Sequence, residues 1–154
     1  LLTRKKLARV SKTPGRTRSL NFYDVSGEVY FVDLPGYGYA DVPTEEKKAW
    51  APMIETYLRR RRSLAALVCV MDLRRGMEGD DQQLIESAPH FGVQPILVFT
   101  KADKFGEQKR ARRRREIAEE FGVEVDELLL FSSEERIGQR DLWRRIDERT
   151  GAGR

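Results

Sequence analysis

Three short stretches of this chain carry residue types that handle phosphates, divalent cations and purine bases. The first, Asp33-Leu34-Pro35-Gly36, follows Val29 to Val32, a run of β-branched and aromatic residues that suits a buried strand. A carboxylate at the carboxyl end of such a strand, followed by a glycine loop, stands where an open α/β sheet places its ligand. It can hold Mg²⁺ through water, and the glycine lets a backbone N–H approach a phosphate closely. The second, Thr100-Lys101-Ala102-Asp103, ends the apolar run Pro95 to Phe99. An aspartate there can accept two parallel hydrogen bonds, from N1–H and the 2-amino group of guanine. Adenine has no such donor pair and leaves the carboxylate unpaired at a cost. The apolar stem of Lys101 can lie across a base plane while its ammonium stays polar. The third, Phe131-Ser132-Ser133, ends the run Leu128 to Leu130, and backbone N–H groups around the two serines can meet guanine O6. Each has a bland reading alone: Asp-x-x-Gly is common by chance, and Lys-Ala-Asp is more often a solvated turn. Their succession at consecutive strand ends reverses those odds.

The elements that must position them alternate along the chain. Leu20 to Val25 and Glu28 to Asp33 predict two strands turning at Ser26-Gly27, a hairpin. Thr44 before Glu45 and Glu46 predicts a helix start, with Trp50, Ile54, Tyr57 and Leu58 on one face and a kink or delayed start at Pro52. Buried strands follow over Leu64 to Met71, Pro95 to Phe99 and Leu128 to Phe131. Helices intervene over Asp80 to Phe91, Gly106 to Phe121 and Asp141 to Arg149, the last with Leu142, Trp143 and Ile146 inward. Leu1 to Leu7 reads as the tail of an amphipathic helix, and Ser11 to Arg18 as a polar loop. The pattern predicts an α/β fold: a doubly wound, mixed but mainly parallel sheet with helices on both faces. Residues 1–150 are expected to form one domain and 151–154 a flexible tail.

Composition narrows the chemistry. One cysteine, Cys69, in 154 residues excludes a disulfide framework and a cysteine-based zinc site, fits a reducing cytosol, and reads as a core residue. The one histidine, His90, offers no metal cluster. No apolar run approaches the ~20 residues of a membrane span. A net charge of +4 hints at a polyanionic partner.

Together, Asp33-Leu34-Pro35-Gly36 with Tyr37-Gly38-Tyr39-Ala40, Thr100-Lys101-Ala102-Asp103 and Phe131-Ser132-Ser133-Glu134 resemble the EngB-type (YihA/YsxC) GTPases, P-loop proteins of bacteria. Ser11 to Thr17 and the set Trp50, Met53, Ile54, Glu55, Tyr57 and Leu58 match as well, so the resemblance spans essentially the whole chain. It implies a small-GTPase-like fold, GTP or GDP as ligand, Mg²⁺ as cofactor, GTP hydrolysis, and a cytoplasmic, monomeric protein. It further implies a role in assembling the large ribosomal subunit and a link to cell division and septation. By that resemblance Gly15, Arg16, Thr17, Arg18 and Ser19 form the first switch loop, where the Thr17 hydroxyl would bind Mg²⁺. Asp33 would hold Mg²⁺ through water, with Leu34 and Pro35 beside it and Gly36 sensing the γ-phosphate. Thr100, Lys101, Ala102, Asp103, Phe131, Ser132 and Ser133 would surround the guanine.

Two positions depart from the usual pattern. Tyr37, not a glutamine, follows Gly36, so no residue is evident to orient the attacking water and slow intrinsic hydrolysis is expected. Arg18 stands where glutamine is expected. The larger departure is that Gly-x-x-x-x-Gly-Lys-[Ser/Thr] occurs nowhere in the chain. That loop wraps the α- and β-phosphates. The family carries it, with the first strand, upstream of the position of Leu1. The chain begins Leu-Leu rather than Met, and the expectation is that its start is missing. The chain as it stands is then expected to bind nucleotide very weakly and to be inactive as a GTPase. The alternative is a nucleotide-free RNA- or ribosome-binding remnant. A flavodoxin-like enzyme does not account for Asp103 together with Ser132-Ser133. The basic run Lys109 to Arg115 reads equally as a solvated helix face and as a contact for rRNA phosphates. Arg59 to Arg62 and the cluster Arg4, Lys5, Lys6 and Arg9 are secondary candidates.

Overall fold

The structure is a computed structural model that describes residues 20–35 and 44–151, with side chains described for 20–35 and from residue 52 onward. The chain divides into two compact units, residues 1–64 and 65–154.

In the first unit, strands β1 (Asn21–Val25) and β2 (Val29–Asp33) form the expected antiparallel hairpin, in a register that pairs Asn21 with Asp33 and Val25 with Val29. Ser26 and Gly27 both take positive φ, 59° and 74°, which matches the twist of the two strands. The Asp24 carboxylate accepts the Gly27 N–H at 2.8 Å and closes the turn. Helix α1 (Thr44–Arg60) runs through Pro52 rather than starting after it. Pro52 removes one backbone donor. The helix tolerates this because Ile54 and Leu58, one turn apart, are both buried. Tyr57 meets the exposed edge of Phe22 at 6.1 Å between ring centroids, and the Arg61 guanidinium lies over the same ring.

The second unit holds a parallel sheet in the order β3 (Leu67–Asp72), β4 (Pro95–Thr100) and β5 (Leu128–Leu130). Strand β4 reads as an unbroken apolar run because both its faces are covered: Ile96, Leu97, Val98 and Phe99 are all buried. The segment expected as one helix over Asp80 to Phe91 divides into α2 (Gly79–Ser87) and a 3₁₀ turn, Ala88–Phe91. Pro89 explains the break, since it cannot donate into an α-helical ladder. Helices α3 (Glu107–Phe121) and α4 (Gln139–Thr150) follow β4 and β5. Ile117 and Ala118 of the first, and Leu142 and Ile146 of the second, are buried, and Trp143 is half-buried. The register sets Asp72 beside Thr100 and Leu130 beside Phe99, so the loops that leave all three strands emerge together on one edge. The α/β class is therefore as expected. No helix among the described residues is long and apolar enough to cross a membrane.

Candidate functional site

The second unit brings two of the three expected stretches into contact. Phe131 donates its N–H to the Phe99 carbonyl at 2.8 Å, and Ala102 donates to the Phe131 carbonyl at 3.1 Å. These bonds stitch the loop after β4 to the loop after β5. Thr100 faces the other way: its hydroxyl donates to the Met71 carbonyl at 2.8 Å and ties β4 to β3. Between Thr100 and the short 3₁₀ turn Ala102–Lys104, Lys101 takes a left-handed conformation, φ 60° and ψ 30°. Bulky residues rarely adopt it, and such local strain concentrates at ligand sites. Ala102, with no exposed surface, plugs the loop into the core.

Asp103 is the centre of this cluster. Its Oδ1 accepts the Ser132 hydroxyl at 2.7 Å, and its Oδ2 meets the Lys104 ammonium at 2.8 Å. Lys104 first, and Ser132 after it, hold the Asp103 carboxyl below the usual aspartate range. An ionised carboxylate has about four acceptor positions, so Ser132 and Lys104 leave acceptor capacity on this carboxylate, whose side chain is 8% exposed. Such capacity is the requirement for a parallel donor pair such as guanine N1–H and its 2-amino group.

Ser132 does a different task from the one expected. It is 1% exposed. Its hydroxyl donates to Asp103 while accepting the N–H groups of Glu134 and Glu135, both at 3.2 Å. Its own N–H donates to the Ile137 carbonyl at 3.1 Å and is not free for a base oxygen. Of the two serines, Ser133 is the one whose N–H has no partner among the described residues. Gly138 makes this loop possible: with φ 68°, a Cβ there would stand 1.9 Å from the Leu130 carbonyl oxygen.

Four residues beyond the expected set join the cluster: Asp72, Arg74, Lys104 and Gly138. Asp72 ends β3, as Asp33 ends β2, so the rule of an acid at a strand's carboxyl end identifies it. Asp72 Oδ2 accepts the Lys101 ammonium at 2.8 Å, and Arg74 forks onto both of its oxygens, Nε at 3.0 and 3.1 Å. Arg74 first, and Lys101 against the opposing effect of burial, hold Asp72 well below the usual carboxylate range.

In the first unit, Asp33 is exposed at the end of β2, with Leu34 half-buried and Pro35 fully buried behind it. No partner holds the Asp33 carboxylate among the described residues. No cluster of three or more His, Cys, Asp or Glu able to hold a metal occurs among the described residues. Mg²⁺ does not need one: it keeps several waters and takes one or two carboxylates with substrate phosphates. Gly15, Arg16, Thr17, Arg18, Ser19 and Gly36 lie outside the described residues, as do Leu1 to Leu7 and the cluster Arg4, Lys5, Lys6 and Arg9.

The basic run on α3 proves to be of two kinds. Arg110 donates to the Phe105 carbonyl at 3.0 Å, Arg113 to those of Leu73 and Arg75 at 3.4 and 3.3 Å, and Arg114 to that of Leu128 at 2.9 Å. These three are half-buried and hold the fold. Lys109, Arg112 and Arg115 are exposed. Lys109 leans over the Phe105 ring, Arg112 pairs with Glu116, and Arg115 reaches only the Ala111 carbonyl of its own helix. Arg59 is paired with Glu55 on α1.

Comparison with known proteins follows the same lines. Residues 1–101 match the family model described as 50S ribosome-binding GTPase. The chain is 45% identical over 148 residues to the GTP-binding protein EngB of Geotalea daltonii, covering 96% of this chain and 72% of that protein. It is 42% identical over 144 residues to EngB of Bacillus subtilis, covering 93% and 74%. A crystal structure of an EngB GTP-binding protein superposes with a TM-score of 0.66 at 20% identity, over 90% of this chain and 85% of that one. Era, solved with MgGDPNP and nucleotides of 16S ribosomal RNA, gives 0.68 at 18% identity, over 94% of this chain and 48% of its own. At those identities the two structures speak for the fold alone.

Proposed function

This chain belongs to the EngB family of GTP-binding proteins, and from that premise we propose that it acts as a guanine-nucleotide switch serving assembly of the large ribosomal subunit. The observation that carries the proposal is Asp103: a carboxylate kept ionised by Lys104 and Ser132 at the joined ends of β4 and β5, with acceptor capacity beyond those two contacts. Thr100, Ala102 and Phe131 fix its loop, Lys101 lies beside it to cover a base, and the Ser133 N–H serves guanine O6. Asp33, through water, and Thr17 would hold Mg²⁺, which would neutralise charge on the phosphates. Leu34 and Pro35 place Asp33, and Gly15 to Ser19 and Gly36 contact the γ-phosphate. With Tyr37 after Gly36, intrinsic hydrolysis is slow and awaits a partner. Lys109, Arg112 and Arg115 form the surface for rRNA phosphates. The protein works as a cytoplasmic monomer, and its loss disturbs septation through the supply of ribosomes.

The base site is tested by titrating the full-length gene product with GDP, IDP and ADP. IDP lacks the 2-amino group, so the expected order is GDP tightest, IDP weaker by one hydrogen bond to a charged group, about tenfold or more, and ADP weakest. Equal affinities refute the reading. The assembly role is tested by depleting the protein and sedimenting ribosomes: a deficit of mature large subunits with elongated cells is expected, and a normal profile overturns that part.

A further inference from the structure

We propose that Asp72 is a positioning residue for the base site: it anchors the Lys101 ammonium and so lays the lysine stem where a purine stacks. The inference rests on the base-site reading above. Lys101 leaves β4 in a left-handed conformation, and its long stem ends on Asp72 Oδ2 at 2.8 Å. Both ends of the stem are therefore fixed before any ligand arrives. A lysine free at its tip would have to lose that rotamer freedom on binding.

Asp72 is itself held firmly. Its side chain is 15% exposed, against 50% for Lys101 and 50% for Arg74. The Arg74 side chain forks onto it, and the Arg74 backbone N–H donates to Oδ1 at 3.0 Å. Its strand is locked to β4 by the Thr100 hydroxyl on Met71 and by the Leu73 N–H on the Thr100 carbonyl. The carboxylate is thus a rigid post and the exposed lysine the part it steadies. Stacking does not depend on the 2-amino group, so Asp72 should affect guanine and hypoxanthine nucleotides alike, whereas Asp103 separates them.

The test is a double-mutant cycle on the full-length gene product, read as GDP and IDP affinities by calorimetry. Asp72→Asn is expected to weaken both nucleotides by about fivefold to tenfold with their ratio unchanged, and Lys101→Met by a similar factor. Asp72→Asn added to Lys101→Met should cost no more than about twofold further, and Asp72→Glu should recover to within about threefold of the unaltered protein. Arg74→Gln, which loosens the post but leaves the Lys101 contact, should weaken both nucleotides less than Asp72→Asn does, with their ratio unchanged. Unchanged affinity in Asp72→Asn overturns the proposal. So does an equal loss with Lys101 already replaced, or a full loss from Arg74→Gln. Should Asp72→Asn melt below the assay temperature, the same cycle run with Asp72→Glu decides by the same criterion. An unaltered protein with no preference for GDP over ADP sinks the base-site reading itself; a clear preference without coupling sinks only the role of Asp72.

Discussion

Replacing Asp103 by Asn keeps the shape of the side chain and inverts half of its hydrogen-bonding pattern. The carboxylate accepts Ser132 on Oδ1 and meets Lys104 on Oδ2. On the proposed reading a guanine brings one donor to each oxygen, each bond to a charged acceptor contributing about 1.5–3 kcal/mol. The amide keeps one neutral acceptor and turns its NH₂ toward the 2-amino group, where two donors confront each other. The net loss is about 3–5 kcal/mol, roughly a hundredfold to several thousandfold in GDP affinity. Xanthine carries a carbonyl where guanine carries the 2-amino group, so the same amide now meets N1–H with its oxygen and the carbonyl with its NH₂. Xanthosine diphosphate should therefore bind the variant more tightly than GDP does. The fold should survive: the Ser132 hydroxyl can still donate to the amide oxygen, and Lys104, 58% exposed, can swing into water. Competition of GDP and XDP against a fluorescent nucleotide, with circular dichroism as the folding control, reads both effects. A folded Asp103→Asn protein that still prefers GDP would show that Asp103 does not read the base.

Gly138→Ala places a methyl into the Leu130 carbonyl at φ 68°, and the strain should cost at least about 2 kcal/mol in urea unfolding; a neutral result refutes the close approach. Burial pushes the Cys69 thiol up to about 12, with the Asp81 charge adding to it, so the native protein at pH 8 should react with a disulfide reagent at least about a thousandfold more slowly than the unfolded chain. The pair around Asp72 carries a sign that can be checked: its folded pKa is depressed, so its contribution is complete above the ordinary aspartate value of about 4 and fades as pH falls through the lower folded value. Asp72→Asn should accordingly be less stable near pH 7, with the deficit closing in strong acid; a deficit independent of pH overturns this. Changing Lys109, Arg112 and Arg115 to Gln should lower the salt slope of large-subunit binding by about 2–3 with the melting temperature unchanged, whereas Arg113→Gln and Arg114→Gln should lower the melting temperature first.

Much of this was legible from local pattern. Apolar runs marked β2, β3 and β4, the first two closed by acids, because strand pattern acts within a few residues. The division of the basic run was not legible. Arg112 and Arg113 are adjacent and identical, and only the curvature of the chain decides that Arg113 reaches the carbonyls of Leu73 and Arg75 while Arg112 stays outside. Ser132 was legible as a site residue but not in its task, since the partner of its N–H, Ile137, is fixed by how the loop folds back over Gly138. Lys104 was not legible as a partner because nothing in Ala-Asp-Lys says which oxygen of Asp103 it covers. Asp72 went unassigned although it obeys the rule that picked out Asp33.

The two contacts at the proposed base site, Lys101 with Asp72 and Ser132 with Asp103, each join residues 29 positions apart. Neither can form from a local turn; both await the pairing of β3 with β4 and of β4 with β5. The site therefore does not exist in the unfolded chain, and a nucleotide that occupies it acts as a folding ligand. At a hundredfold excess over its dissociation constant it adds about 2.7 kcal/mol to the native state, a sizeable share of the total stability of a domain this small. If the proposed site takes its nucleotide, nucleotide supply and survival of the parallel sheet become a single equilibrium.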